Sequence, residues 1–128
     1  MQRDLGLRDS TLADDHEPPV FAFPDEGPGG NPLLPRSFDG APPLVPHSLD
    51  GLVPITAEEN LCLLCHATGS ADPDDPPQAP HSHLVDRRAS PEVMRDSVAG
   101  ARWTCLACHV VQSDAPALVV NTFGSRGR

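Results

Sequence analysis

The sequence predicts a mostly irregular chain with a few short α-helices, folded around something other than its own side chains. Three observations predict it. Pro and Gly supply 16 and 10 of the 128 residues, a share at which compact packing of the backbone becomes difficult. Large side chains are scarce, with four Phe, one Trp and no Tyr. All four Cys fall in two copies of one pattern, Cys62-Leu63-Leu64-Cys65-His66 and Cys105-Leu106-Ala107-Cys108-His109. A small domain this lean is held together by disulfides, metals or a bound cofactor.

Residues 1–41 read as an extended arm. The stretches Asp14-Asp15-His16-Glu17-Pro18-Pro19 and Pro24-Asp25-Glu26-Gly27-Pro28-Gly29-Gly30 lack periodicity and are full of breakers. Such an arm becomes ordered by wrapping a surface, its own or a partner's. The domain proper is expected over 42–123, with a short tail at 124–128. A ten-residue segment recurs across the boundary at an offset of eleven, Asn31–Gly40 against Pro42–Gly51. Its frame, Pro-Leu-x-Pro-x-Ser-x-Asp-Gly, is a polyproline-like entry ending in a turn. Two copies are too few for a solenoid. Arg36 of the first copy is replaced by His47 in the second.

The first helix signal is Thr56-Ala57-Glu58-Glu59, a capping box in which Thr56 caps and Glu59 reaches back. It is expected to lead a helix carrying Asn60 through His66. A loop rich in Pro and Asp follows over 69–80. Ser90, with Pro91 in the first turn, starts a second short helix that Gly100 ends. A last helical turn covers Trp103 through His109, which brings the expectation to three or four short helices. Leu118-Val119-Val120 is too short to define a strand.

The formal charge is −9, and every one of the nine basic residues is Arg. Nucleic-acid binding needs clustered basic residues against phosphate, so that class is excluded. An acidic surface suits docking on a basic patch of a partner by electrostatic steering, and it equally serves solubility.

The cysteine pattern carries the chemistry. C-x-x-C-H is the attachment signal for c-type heme, and helix geometry explains the spacing. Positions i, i+3 and i+4 share one face, so two thiols can form thioethers with the vinyl groups of one heme while the next imidazole sits under the iron. Cys62 and Cys65 would hold one heme, Cys105 and Cys108 a second, with His66 and His109 as proximal ligands. A zinc ribbon would place its Cys pairs about 15 to 20 residues apart, whereas position 65 lies 40 before position 105. A thioredoxin-like pair would occur once, beside a βαβ pattern. Structural disulfides would not require a His after each pair. The expectation is therefore two covalent heme c groups, attached outside the cytoplasm. Met1 through Leu7 lacks the apolar stretch of an export signal, and no run of about 20 apolar residues spans a membrane. The signal is thus expected to have been removed, or the start site to be misplaced.

The second heme must draw its distal ligand from upstream, because His109 is followed by no further His, Met or Lys. The candidates are His16, His47, His81, His83 and Met94. His47 lies in a Pro-rich turn 15 residues before Cys62, and His83 lies 22 before Cys105. Each half then reads as distal His, connector, C-x-x-C-H. Met94, alongside Val93 and Val98, sits where a helix wants a core residue. His16 in the acidic arm reads as a solvated side chain.

Beyond the two heme motifs, the stretches Pro42–Gly51, Ser82-His83-Leu84-Val85-Asp86, Val110 through Ala115 and Asn121-Thr122-Phe123 closely resemble the NapB family, the diheme cytochrome small subunit of periplasmic nitrate reductase. The resemblance covers about residues 42–123. It implies that His47 and His66 ligate the first heme iron and that His83 and His109 ligate the second. The family commonly has Pro where His81 stands. The resemblance also implies a small multiheme cytochrome c domain with little regular structure, its two hemes stacked closely as the core. Its function would be electron transfer in the periplasm, from a membrane-anchored multiheme quinol dehydrogenase to the molybdenum-containing catalytic subunit, without catalytic residues of its own. Bis-His ligation should hold both potentials below those of Met/His cytochromes. The rivals are a diheme carrier for a different periplasmic oxidoreductase, a heme peroxidase with an open sixth position, and a zinc-binding structural module.

Overall fold

A computed structural model describes residues 13–14, 17–67 and 75–120. His16, the first half of the Pro/Asp loop, Asn121 through Phe123 and the tail at 124–128 lie outside the described residues.

Most of the chain is irregular. The regular pieces are one short helix, α1 (Cys62–His66), and three 3₁₀ turns at His81–His83, Gly100–Arg102 and Cys105–Ala107. Two isolated bridges join distant segments among the described residues: Val45 with Val111, parallel, and Val85 with Met94, antiparallel.

Only the Thr56 half of the expected capping box forms, and with a backbone carbonyl in place of the Glu59 side chain it closes a turn instead of opening a helix. Thr56 Oγ1 accepts the N–H groups of Glu58 at 3.3 Å and Glu59 at 3.0 Å, while the Thr56 N–H donates back to the Glu59 carbonyl at 2.9 Å. With the turn bonded in both directions, the chain leaves the helical path, and α1 begins only at Cys62. Asn60 Oδ1 accepts the Cys62 N–H at 3.2 Å just before it.

No helix runs from Ser90 to Gly100. The Asp86 carboxylate accepts the N–H groups of Arg88 at 3.1 Å and Ala89 at 2.9 Å, and the Ser90 N–H donates to the Asp86 carbonyl. These side-chain bonds compete successfully with helical ones. The chain doubles back, with the Arg95 N–H on the Leu84 carbonyl and the Ala99 N–H on the His83 carbonyl. Met94, expected in a core, is 53% exposed in this hairpin. The core reading assumed a helix that does not form.

Both copies of the repeat fold alike. The Ala41 N–H bonds the Phe38 carbonyl, and the Leu52 N–H bonds the Leu49 carbonyl. Gly40 and Gly51 adopt φ of 78° and 74°, the left-handed values that the third residue of a type II turn requires. The arm lies along its own domain. Ala22 exchanges two hydrogen bonds with Asp114, the Ser48 N–H reaches the Glu26 carbonyl, and Gln112 Nε2 donates to the Pro32 carbonyl.

Side chains form almost no core. Among the described residues, Ala41, Ala99, Asn60 and Gln112 alone are buried, while Leu64, Val93 and Val110 stay exposed. What the backbone bonds do build is a frame in which four histidines meet in pairs.

Candidate heme site

The two C-x-x-C-H motifs reach their shape by local bonding. The first is α1 itself. The second is a 3₁₀ turn extended by a bond from the His109 N–H to the Cys105 carbonyl at 2.9 Å. All four thiols are free; Cys65 and Cys108 are exposed, Cys62 and Cys105 half-buried. Burial pushes the Cys62 thiol up, and the neighbouring Cys105 adds to the effect. The first cysteines of the two motifs are therefore neighbours.

Each motif histidine faces a histidine from elsewhere. The rings of His47 and His66 have centres 6.5 Å apart and planes inclined by 15°. Those of His83 and His109 have centres 6.1 Å apart, inclined by 39°. His81 is exposed and belongs to neither pair.

The Nδ1 atoms of these rings are occupied. His47 Nδ1 donates to the Ser48 carbonyl at 2.8 Å, His66 Nδ1 to the Pro77 carbonyl at 2.8 Å, and His109 Nδ1 to the Pro43 carbonyl at 2.9 Å. His83 Nδ1 lies 3.2 Å from Ser82 Oγ. A carbonyl can only accept, so the first three rings carry their proton on Nδ1. In the neutral form of such a ring Nε2 is the lone-pair donor, the arrangement in which an outer partner orients a metal-binding imidazole. Burial, with the charge of Arg102 and then His109, holds His83 below the usual histidine range. This favours the neutral ring that metal binding needs.

The Pro-rich segments have a use here. An extended proline segment makes no internal hydrogen bonds, so its carbonyls are free to take ring N–H groups. Pro77 is carried over His66 by the loop whose Ala79 N–H bonds the His66 carbonyl at 2.8 Å. Pro43 is brought to His109 by the Val45–Val111 bridge, with the Val45 N–H on the Val110 carbonyl and the Gln112 N–H on the Val45 carbonyl. The hairpin over residues 84–95 and the Ala99 N–H bond on the His83 carbonyl hold His83 in place. Sequence reasoning missed these partners, since a backbone carbonyl leaves no signal in residue type, and it missed Asn60, whose Nδ2 reaches Trp103 and Cys105, far along the chain.

The donor set fits a heme iron. Ring centres 6.5 and 6.1 Å apart would leave room for one iron between the imidazoles of each pair. Among the described residues, no three His, Cys, Asp or Glu side chains gather to hold a bare ion. Two facing imidazoles would suit a heme, which the cysteines of the motif in each pair would anchor.

A largely irregular chain with two heme-attachment motifs and facing histidines is a small c-type cytochrome. The chain matches the family of nitrate reductase cytochrome c-type subunits, NapB, over residues 5–125 and belongs to it. It is 32% identical over 124 residues to the electron transfer subunit of periplasmic nitrate reductase from Wolinella succinogenes, covering 95% of this chain and 66% of that protein. With the subunit of the same name from Escherichia coli it shares 36% over 92 residues, 72% of this chain and 52% of that one. The chain thus spans roughly half to two thirds of these relatives' length. Among solved structures, it resembles a chain of partially reduced periplasmic nitrate reductase from Cupriavidus necator, with TM-score 0.59 and 25% identity. That match covers 91% of this chain and 87% of the other. The relatives are named as electron transfer subunits, not catalytic ones.

Proposed function

We propose that this chain carries two covalently bound c-type hemes, each with two axial histidines, and relays electrons within a periplasmic nitrate reductase system. The observation that carries the proposal is the pair of facing histidine couples, 6.5 and 6.1 Å between ring centres, each containing the histidine of one C-x-x-C-H motif. Cys62 and Cys65 anchor the first heme, with His47 and His66 on its iron. Cys105 and Cys108 anchor the second, with His83 and His109 on its iron. Bound in this way, heme supplies a one-electron ferric/ferrous couple.

The chain's own part is to hold and tune. The carbonyls of Ser48, Pro77 and Pro43 fix three rings and raise their basicity, which favours ferric iron and a low potential. Full axial ligation leaves no position for a substrate, in keeping with an electron carrier. The hemes also complete the apolar core that the side chains lack.

The names of the relatives support a periplasmic location and a place beside nitrate reductase; the electron acceptor in this reading is its molybdenum-containing catalytic subunit. A membrane-anchored multiheme quinol dehydrogenase is the donor. Among the described residues no helix is long and apolar enough to cross a membrane. The test is to mature the chain in a periplasm competent for heme attachment, then combine a pyridine hemochrome assay with intact mass. Two hemes per chain that survive acid–acetone extraction, with reoxidation of the reduced protein by the catalytic subunit and nitrate, are expected. One heme, or bound zinc, refutes the site assignment; two hemes without reoxidation refute the partner.

A further inference from the structure

Asn60 is the buried polar side chain at the join of the two attachment motifs, 7% exposed. Its Oδ1 accepts the Cys62 N–H at 3.2 Å. Its Nδ2 donates to the Trp103 carbonyl at 2.7 Å and lies 3.4 Å from Cys105 Sγ. Close by, Trp103 Nε1–H donates to the Thr56 carbonyl at 2.6 Å. Segment 56–60 and segment 103–105 are thus pinned together across more than forty positions of sequence. None of these bonds is needed for a motif to take its own heme, because the i, i+3, i+4 spacing is local. They determine where one motif sits relative to the other.

We infer that Asn60 is a positioning residue for electron exchange between the two hemes, its carboxamide clamping the Cys62 side of one attachment site against the Cys105 side of the other. The inference rests on the two-heme reading above. The exchange is a one-electron step in which one iron goes from ferrous to ferric as the other goes from ferric to ferrous; no bond or proton changes hands. Its rate depends on the separation and relative orientation of the two groups, and the clamp controls both. A carboxamide suits the position because it presents an acceptor toward Cys62 and a donor toward Trp103 and Cys105 from one planar group. A carboxylate lacks the donor, and a hydroxyl is too short to span both sides.

The test uses the full heme-loaded chain and Asn60→Ser, in which the hydroxyl can still accept the Cys62 N–H but cannot reach Trp103. Heme content is counted first in the unaltered chain: fewer than two hemes there overturns the two-heme reading itself, and this inference with it. With two hemes in both proteins, two readouts follow. One is the magnetic interaction between the two ferric irons by electron paramagnetic resonance, and the other is intramolecular exchange after rapid partial reduction. N60S is expected to keep both hemes and low-spin spectra, with a weakened interaction and exchange slowed severalfold. Unchanged interaction and rate overturn the role of Asn60 and leave the two-heme reading standing. Should N60S fail to mature, Asn60→Asp, which keeps the shape and the Cys62 acceptor but loses both donor bonds, is judged by the same measurements and outcomes.

Discussion

His83 and His109 face each other with ring centres 6.1 Å apart, while His81, two residues earlier on the same 3₁₀ turn, is exposed and joins neither ring pair. A tight turn rotates successive side chains by about 120°, so neighbouring histidines cannot share one direction. His83→Ala is therefore expected to convert one of the two hemes to a high-spin spectrum, and His81→Ala to leave both low-spin. The reverse pattern in visible absorption would move the ligand by two residues, and no change in either variant would mean that another group holds that iron.

The other couple makes a separate prediction. Replacing His47 by Met exchanges an imidazole for a thioether at the first iron, which favours the ferrous state. The expected result is a raised midpoint for one heme, a new thioether-to-iron absorption band, and a second heme nearly unchanged. Potentiometric titration decides it: equal movement of both midpoints would contradict separate sites.

Folding should depend on heme attachment. Ordering the backbone costs about 1–2 kcal/mol per residue, and Ala41 and Ala99 are the only apolar side chains buried among the described residues. The double change Cys62→Ala and Cys65→Ala is expected to yield a chain that is unfolded or rapidly proteolysed. A cooperative thermal melt of that variant would show that the side chains alone suffice.

Asp86 provides a pH test of the hairpin that holds His83. The N–H groups of Ala89 first and then Arg88, with the Arg95 charge behind them, hold its carboxyl below the ordinary 3.8. A carboxylate with a lowered folded-state value stabilises the fold above its unfolded value, and the contribution is lost as pH falls through the folded one. Asp86→Ala should therefore melt at lower temperature than the parent at neutral pH, with the gap closing as pH drops below 3.8. A gap that stays constant across that range would show that the charge plays no part.

The residues differ in how readily the sequence reveals them. The repeat predicts two turns, and both form with the same bond and the same left-handed glycine, because a turn is decided within four residues. Helix extents were less legible. The Thr56 capping box and the Ser90-Pro91 start are sound local signals, yet each loses to side-chain and backbone bonds made within the same few residues. Met94 followed the second of these: without a helix there is no helical face to bury it. The arm's attachment through Ala22, Glu26 and Pro32 depends on Asp114, Ser48 and Gln112, far along the chain, and composition could indicate only that the arm would wrap some surface.

By itself the sequence was enough to propose the attachment chemistry, since Cys62, Cys65 and His66, like Cys105, Cys108 and His109, lie within one helical turn whose geometry the backbone dictates. It also determined that side chains would make no sizeable core. Tertiary structure alone decided which rings meet, which carbonyls orient them, and that Asn60 joins the two motifs. Those relations depend on backbone carbonyls and loop paths that bring Pro43 to His109, Pro77 to His66 and Trp103 to Asn60. Every residue has a carbonyl, so no residue type marks the ones that serve; only the folded path of the chain selects them.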